Sequence, residues 1–359
     1  MADVVRHLRA LSALTALVLV TGALAVAQSA TASSAPSASP SASSGSCRRP
    51  PAVAAAPLAA VDAYRGAVAA AGARGLQVWL ETDLLKRWWQ GDASFQAGVS
   101  RLAQLATDHS VVGFKVADEL GYGDVVQDRP ACMLAFVTDA VRALHRVSPR
   151  SQVLVDLVVP DLGCVPNDRA VAAWTERCTS ENDSRYPALS LRHVDDLVRL
   201  RALDVVDLST GILDDSVYRS WGTDALHAQD AAWQEVARRH WSHDVVINGR
   251  KALAHPGTYP GTPSTADAAT ALYVDTPLHH GARAVDVWTW RQQYEGSLYW
   301  LADPGLQGNA LWSSLVARRT RGDLLFTHFS PSSVEDDVAA DLDMVSQVFG
   351  GVFVATGTG

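Results

Sequence analysis

Asp108-His109-Ser110-Val111-Val112-Gly113-Phe114-Lys115-Val116-Ala117-Asp118-Glu119-Leu120-Gly121-Tyr122-Gly123-Asp124 combines an apolar strand with an acidic exit. Val111 to Val116 is short, rich in β-branched residues and bounded by turn formers, as expected of a strand covered on both faces in a parallel sheet. Two adjacent carboxylates, Asp118 and Glu119, follow at its carboxyl end. In barrels and open α/β sheets that end of the strand is where ligands bind.

Outward from this stretch, helical and strand patterns alternate. Strands are expected at 76–81, 111–116, 152–158, 204–209, 244–248, 284–290, 323–328 and 351–356, and helices at 58–73, 93–107, 130–147, 190–202, 224–240, 265–280, 308–319 and 333–348. Eight strands alternating with eight helices predict an α/β fold, a closed (β/α)8 TIM barrel. The chain begins on a helix and ends on a strand, the reverse of the usual order.

The N-terminus has the layout of a secretory signal. Arg6 and Arg9 precede the apolar run Leu11–Val26, and Ala25-Val26-Ala27 is a small-x-small cleavage site. Residues 1–27 are read as a signal peptide, 28–46 as a Ser/Ala/Pro-rich tether with too few apolar residues to build a core, and 47–359 as a single barrel domain. The expectation is a secreted monomer with no membrane anchor after cleavage. The formal charge is −8, and −9 without residues 1–27; so acidic a chain has no electrostatic footprint for nucleic acid or anionic membranes. Four cysteines in an exported chain favour disulfides, and Cys164–Cys178 with Cys47–Cys132 is the expected pairing among three possibilities.

Alternation along strands places polar residues in phase at the carboxyl ends: Trp79 and Glu81; Lys115, Ala117 and Glu119; Asp156; Asp207 and Ser209; Asn248 and Arg250; Asp286, Trp288 and Trp290; and His328. Packing does not call for a ring of polar residues from seven strands, because a buried polar group costs free energy unless it is paired.

These segments resemble clan A (cellulase-like, family 5 type) glycoside hydrolases. Leu58–Glu81 is similar to the second helix and third strand of that barrel, His109–Leu120 to its acid-bearing fourth strand, and Asp286-Val287-Trp288-Thr289-Trp290 to its eighth strand with a sugar-platform Trp. Asp323–Gly359 is similar to its first two strands, so the resemblance implies a circularly permuted barrel with strands one and two at the C-terminus. It further implies a carbohydrate substrate and hydrolysis of O-glycosidic bonds, with Glu119 as general acid/base. The family's seventh-strand nucleophile Glu is absent, since Asn248-Gly249-Arg250-Lys251 occupies that place. Asp207, then Glu81, then Asp286 are the substitutes. Trp79, Asp118, Asp156, Asn248, Arg250, Asp286, Trp288, Trp290, Arg291 and His328 are the expected substrate contacts, with Trp88, Trp89 and His255 as further candidates for the cleft. No metal and no cofactor is expected. Two other readings stay open: a non-catalytic carbohydrate-binding barrel, and an enolase-like site in which Glu81, Glu119 and Asp156 hold a divalent cation. A Schiff base on Lys115 is a remote third.

Overall fold

Val111–Lys115, the apolar run, forms β2, and the other seven expected strands form around it. A computed structural model describes residues 47, 61–164 and 172–355, all within one compact unit spanning 43–359. The signal, the tether and the last four residues lie outside the described residues. The strands are β1 (Gln77–Glu81), β2, β3 (Gln152–Val158), β4 (Val205–Ser209), β5 (Val246–Ala252), β6 (His255–Pro256), β7 (Val285–Tyr294), β8 (Ser297–Trp300), β9 (Leu325–Phe329) and β10 (Gly351–Ala355).

Eight of these strands, all but β6 and β8, pair in parallel in the order β5-β4-β3-β2-β1-β10-β9-β7. A β5–β7 pairing then closes the ring. This is the expected TIM barrel. Helices Val61–Gly72, Asp92–Leu105, Pro130–Val147, Leu191–Arg199, Ala225–Arg238, Pro263–Thr270, Ala310–Thr320 and Val338–Val345 connect or flank the strands. The last strand pairs with the first, with Trp79 opposite Phe353.

β6 and β8 add an antiparallel rim beyond β7: Arg291–Tyr294 pairs with Ser297–Trp300, and His255–Pro256 pairs with Tyr299–Trp300. The periodicity did not anticipate this rim, nor helices Leu84–Gln90, Ala172–Arg185 and Asp215–Ser220. Ala172–Arg185 buries no residue, so it carries no apolar stripe to read. Cys178 therefore sits on a helix rather than in the expected long loop.

The barrel interior has an apolar floor. Trp79, Leu154, Val205, Ala284, Phe326 and Phe353 form a cluster separate from the main core, which lies between strands and helices. Glycine makes room for the two largest of these rings. A Cβ on Gly113 would overlap the Trp79 ring and the Gln152 carbonyl, and one on Gly351 would overlap Phe326. Burial of each large ring contributes about 2–3 kcal/mol. Trp79, expected at a binding face, is instead part of this floor and 4% exposed.

Both expected disulfides form. Cys47–Cys132 ties the chain preceding the first helix to helix Pro130–Val147, and Cys164–Cys178 ties the turn after β3 to helix Ala172–Arg185.

Candidate active site

Directly above the floor, seven of the eight barrel strands, all but β10, contribute polar residues at inward positions. β3, β4 and β5 hold Asp156, Asp207 and Asn248 in one register row, and one pair higher Arg250 lies beside Asp286 of β7. On the other side Glu81 pairs in register with Lys115, and His328 of β9 stands next to Phe353. Asp156, Asp207, Asp286 and Lys115 are all 0% exposed. An apolar floor and full burial leave little water to screen charges, so electrostatic effects here are large.

Two cations organise the group. Lys115 Nζ donates to Asp118 Oδ1 at 2.8 Å and pairs with Glu81 at 3.2 Å and Asp156 at 3.4 Å. Arg250 spreads its guanidinium across four carboxyl groups: Nε faces Asp156 at 2.5 Å and Asp286 at 3.7 Å, Nη1 donates to Glu119 at 3.0 Å, and Nη2 donates to Asp118 at 3.1 Å. Burial works against both cations, but the carboxylates outweigh it and hold both pKa values well above the ordinary range. Burial also pushes Glu81 upward; His328 and Lys115 outweigh it and hold its pKa below the usual value.

His328 is the third positive group. Nδ1 faces Glu81 Oε2 at 2.9 Å and Nε2 faces Asp286 Oδ2 at 2.9 Å. Burial lowers its pKa, yet Asp286 and Glu81 win and raise it to about 10. An imidazolium has two N–H donors, and here each finds a carboxylate acceptor.

Six carboxyl groups (Glu81, Asp118, Glu119, Asp156, Asp207 and Asp286) thus share the mouth with three basic side chains. The surplus is relieved by protons. Burial pushes Asp156 well above the usual range despite Arg250 and Lys115, while those cations hold Asp118 well below it. Asp207 has neither cation as a hydrogen-bond partner. Asn248 Nδ2 donates to its Oδ1 at 2.8 Å, and Oδ2 accepts no hydrogen bond from the described residues. Burial, then the nearby Asp286, push Asp207 up to about 7. A carboxyl group poised there can give or take a proton at neutral pH.

Asp118 and Glu119 lie past the end of β2, which stops at Lys115. Alternation therefore no longer applies to them. Glu119 has φ +47° and is followed by Gly121 and Gly123, also at positive φ. The loop folds both carboxylates onto Arg250 from the solvent side, where Asp118 and Glu119 side chains are 56% and 39% exposed. Glu119 is thus the Arg250 partner at the rim, not a residue aligned along the strand.

The other expected residues divide. Trp288 stays at the mouth, half-buried against Tyr294 and Tyr299. Trp290 does not share its face: the β7–β9 register breaks between Val287 and Arg291, and Trp290 packs on Trp312 in the outer layer with Nε1 donating to Asp341. Arg291 pairs with Glu335 and covers the Trp300 ring. Trp88 is fully buried against Phe136, with Nε1 donating to Asp139. Trp89 lies under Arg129, and His255 faces Asn309 and Tyr259. The two-Trp platform and the Trp88/Trp89 wall are absent from the arrangement. Lys115 was legible as an inward residue but not as the hub; a lysine ending an apolar strand beside Glu81 was the available signal.

The enolase-like alternative is also corrected. Glu81 and Asp156 share Lys115, Glu119 and Asp156 share Arg250, and among the described residues no group of three or more His, Cys, Asp or Glu is placed to hold a metal ion. No helix among the described residues is long and apolar enough to cross a membrane.

No protein-family model matches the sequence, and no curated protein matches it. Among solved structures the chain is similar to a protein assigned as a phosphonomutase from Burkholderia cenocepacia J2315, with 16% identity and a TM-score of 0.39 over 81% of this chain and 92% of that one. It is also similar to the carboxyl transferase domain of Rhizobium etli pyruvate carboxylase, with 12% identity and a TM-score of 0.43 over 86% of this chain and 47% of that one. The complete Rhizobium etli pyruvate carboxylase matches with 11% identity and a TM-score of 0.41, over 86% of this chain and 27% of that one. These are mutase and carboxyl transferase barrels, not clan A glycoside hydrolases. The expected resemblance is corrected on these matches, and with it the glycosidase reaction and the carbohydrate partner, whether as substrate or as ligand of a non-catalytic barrel. At these scores the matches transfer no activity to this chain.

Proposed function

We propose that the chain is an exported enzyme that moves a proton on a small polar molecule bound at the carboxyl end of the barrel, with Asp207 as the acid–base group. One observation carries this reading: Asp207 is fully buried beside Asp286, its Oδ2 accepts no hydrogen bond from the described residues, and it is pushed up to about 7. A structural carboxylate in such a place is normally paired. A buried carboxyl group raised toward neutral pH beside a second carboxyl group is suited to general acid–base chemistry. Asn248, on Oδ1, holds the carboxyl plane so that Oδ2 is the oxygen that exchanges the proton.

The surrounding residues have supporting roles. His328 and Lys115 supply fixed positive charge where negative charge develops on a substrate, without reorganising at the moment of reaction. Arg250 bounds the solvent side of the site, and Glu119 and Asp118 position it. Two disulfides suit the oxidising compartment that the signal-like N-terminus implies.

Proton transfer can be detected without knowing the net reaction. The protein is incubated in D2O with a panel of small oxo acids, hydroxy acids, amines and amino acids, and exchange of substrate C–H for deuterium is followed by NMR. The expected result is catalysed exchange in at least one compound, reduced by about 10²-fold or more in Asp207→Asn. Exchange that persists undiminished in the variant, or no exchange across the panel, overturns the assignment.

A further inference from the structure

Lys86, Lys115 and Lys251 are the three lysines of the sequence, and their surroundings differ sharply. Lys115 is enclosed by Glu81, Asp118 and Asp156 and is held protonated. Lys86 is exposed on helix Leu84–Gln90. Lys251 lies near the carboxyl end of β5, one residue after Arg250. Alternation turns it away from the barrel axis, opposite to Arg250.

Its Nζ stands 4.3 Å above the centre of the Tyr273 ring, on segment Ala271–Asp275. Among the described residues it forms no ion pair and donates no hydrogen bond to a side chain. The charged and titratable groups around it are few. Arg250 is its neighbour on β5. Tyr273 keeps its proton to about 12 because of burial and then Asp214 and Asp215, which open helix Asp215–Ser220. Burial, followed by Arg250, lowers Lys251 to about 8. The ring face gives a cation modest support, but no carboxylate neutralises it. An amine in this setting is unusual beside the other two: half-buried and, among the described residues, without an ion-pair partner.

We propose that Lys251 is a carbonyl-reactive amine, which condenses with a small aldehyde or ketone at the barrel rim to form an imine. The amine lone pair adds to the carbonyl carbon as the C=O π pair moves to oxygen. A proton passes from nitrogen to that oxygen and leaves a neutral carbinolamine. Loss of the hydroxyl as water, with a second proton from nitrogen, gives the C=N bond. No oxidant or reductant is consumed. The site is separate from the Asp207 group and does not depend on it, because Lys251 and Tyr273 lie outside the barrel axis.

The test treats the intact protein with propanal and sodium cyanoborohydride at pH 7.5, which fixes any imine as a propylated lysine, and maps the adducts by peptide mass spectrometry. Lys251 is expected to label at least about tenfold faster than Lys86, because a lysine of ordinary pKa near 10.4 holds well under 1% of its amine unprotonated at that pH. The Lys251 rate should level off above pH 8. In Lys251→Arg the fast adduct disappears and Lys86 labels as before. Lys86 labelling as fast as or faster than Lys251 in the wild-type protein overturns the proposal, whatever the folding of the variant.

Discussion

His328 holds a carboxylate on each ring nitrogen, Glu81 and Asp286, both at 2.9 Å, and that placement sets how the protein answers to pH. Its folded pKa, about 10, is raised above the ordinary histidine value. The stability it contributes is therefore fully present below about pH 6.5 and is lost as pH climbs toward 10. Wild-type Tm should fall over that window. His328→Gln should flatten the slope and cost about 3 kcal/mol at pH 7, since it removes a cation that hydrogen-bonds two carboxylates in the barrel; urea unfolding at several pH values checks both. Asp207 produces a slope in a different window. A carboxyl group raised to about 7 binds its proton more tightly folded than unfolded, so stability declines between about pH 4 and 7. Asp207→Asn, neutral at every pH, should abolish that slope and be about 2–4 kcal/mol more stable than wild type at pH 8. A variant no more stable at pH 8 than at pH 4, relative to wild type, contradicts the burial argument. Both residues could be identified in the sequence as inward-facing and polar. Their partners could not, because which inward residues meet depends on the stagger between neighbouring strands.

The strands show why periodicity succeeded in some places and failed in others. Alternation assigns a face correctly while a strand keeps its register, as it does from Leu154 to Val158 against Val205 to Ser209. It fails for Trp290, where the β7 register breaks, and for Glu119, which lies beyond the end of its strand. The glycines of the floor make a sharper point about packing. Gly113→Ala should destabilise by about 2 kcal/mol or more, because its Cβ would meet the Trp79 ring and the Gln152 backbone together, and backbone cannot move aside. Gly66→Ala is the matching control. It lies exposed within helix Val61–Gly72 with nothing near the added methyl, and it should stabilise by up to about 1 kcal/mol. Chemical denaturation of both variants decides the comparison.

Across the whole molecule, the two disulfides differ in what they restrain. Cys47–Cys132 spans 85 residues and Cys164–Cys178 spans 14. The chain-entropy model then assigns about 4–5 kcal/mol to the first and about 3 kcal/mol to the second. Replacing both cysteines of a pair by Ala should lower the urea midpoint more for the 47–132 pair. The opposite order would show that strain or residual structure in the unfolded chain dominates. The sequence by itself determined the barrel and the strand order along the chain, because hydrophobic period and turn residues are local properties, and the cysteine count narrowed the pairing to three possibilities. It also marked which polar residues face inward. Only the tertiary structure decided which of them meet, since that depends on the stagger between strands and on the loop after β2, neither of which is periodic. That is how Lys115 and Arg250 come to pair with most of the carboxyl groups, while Asp207 is left with Asn248 on one oxygen.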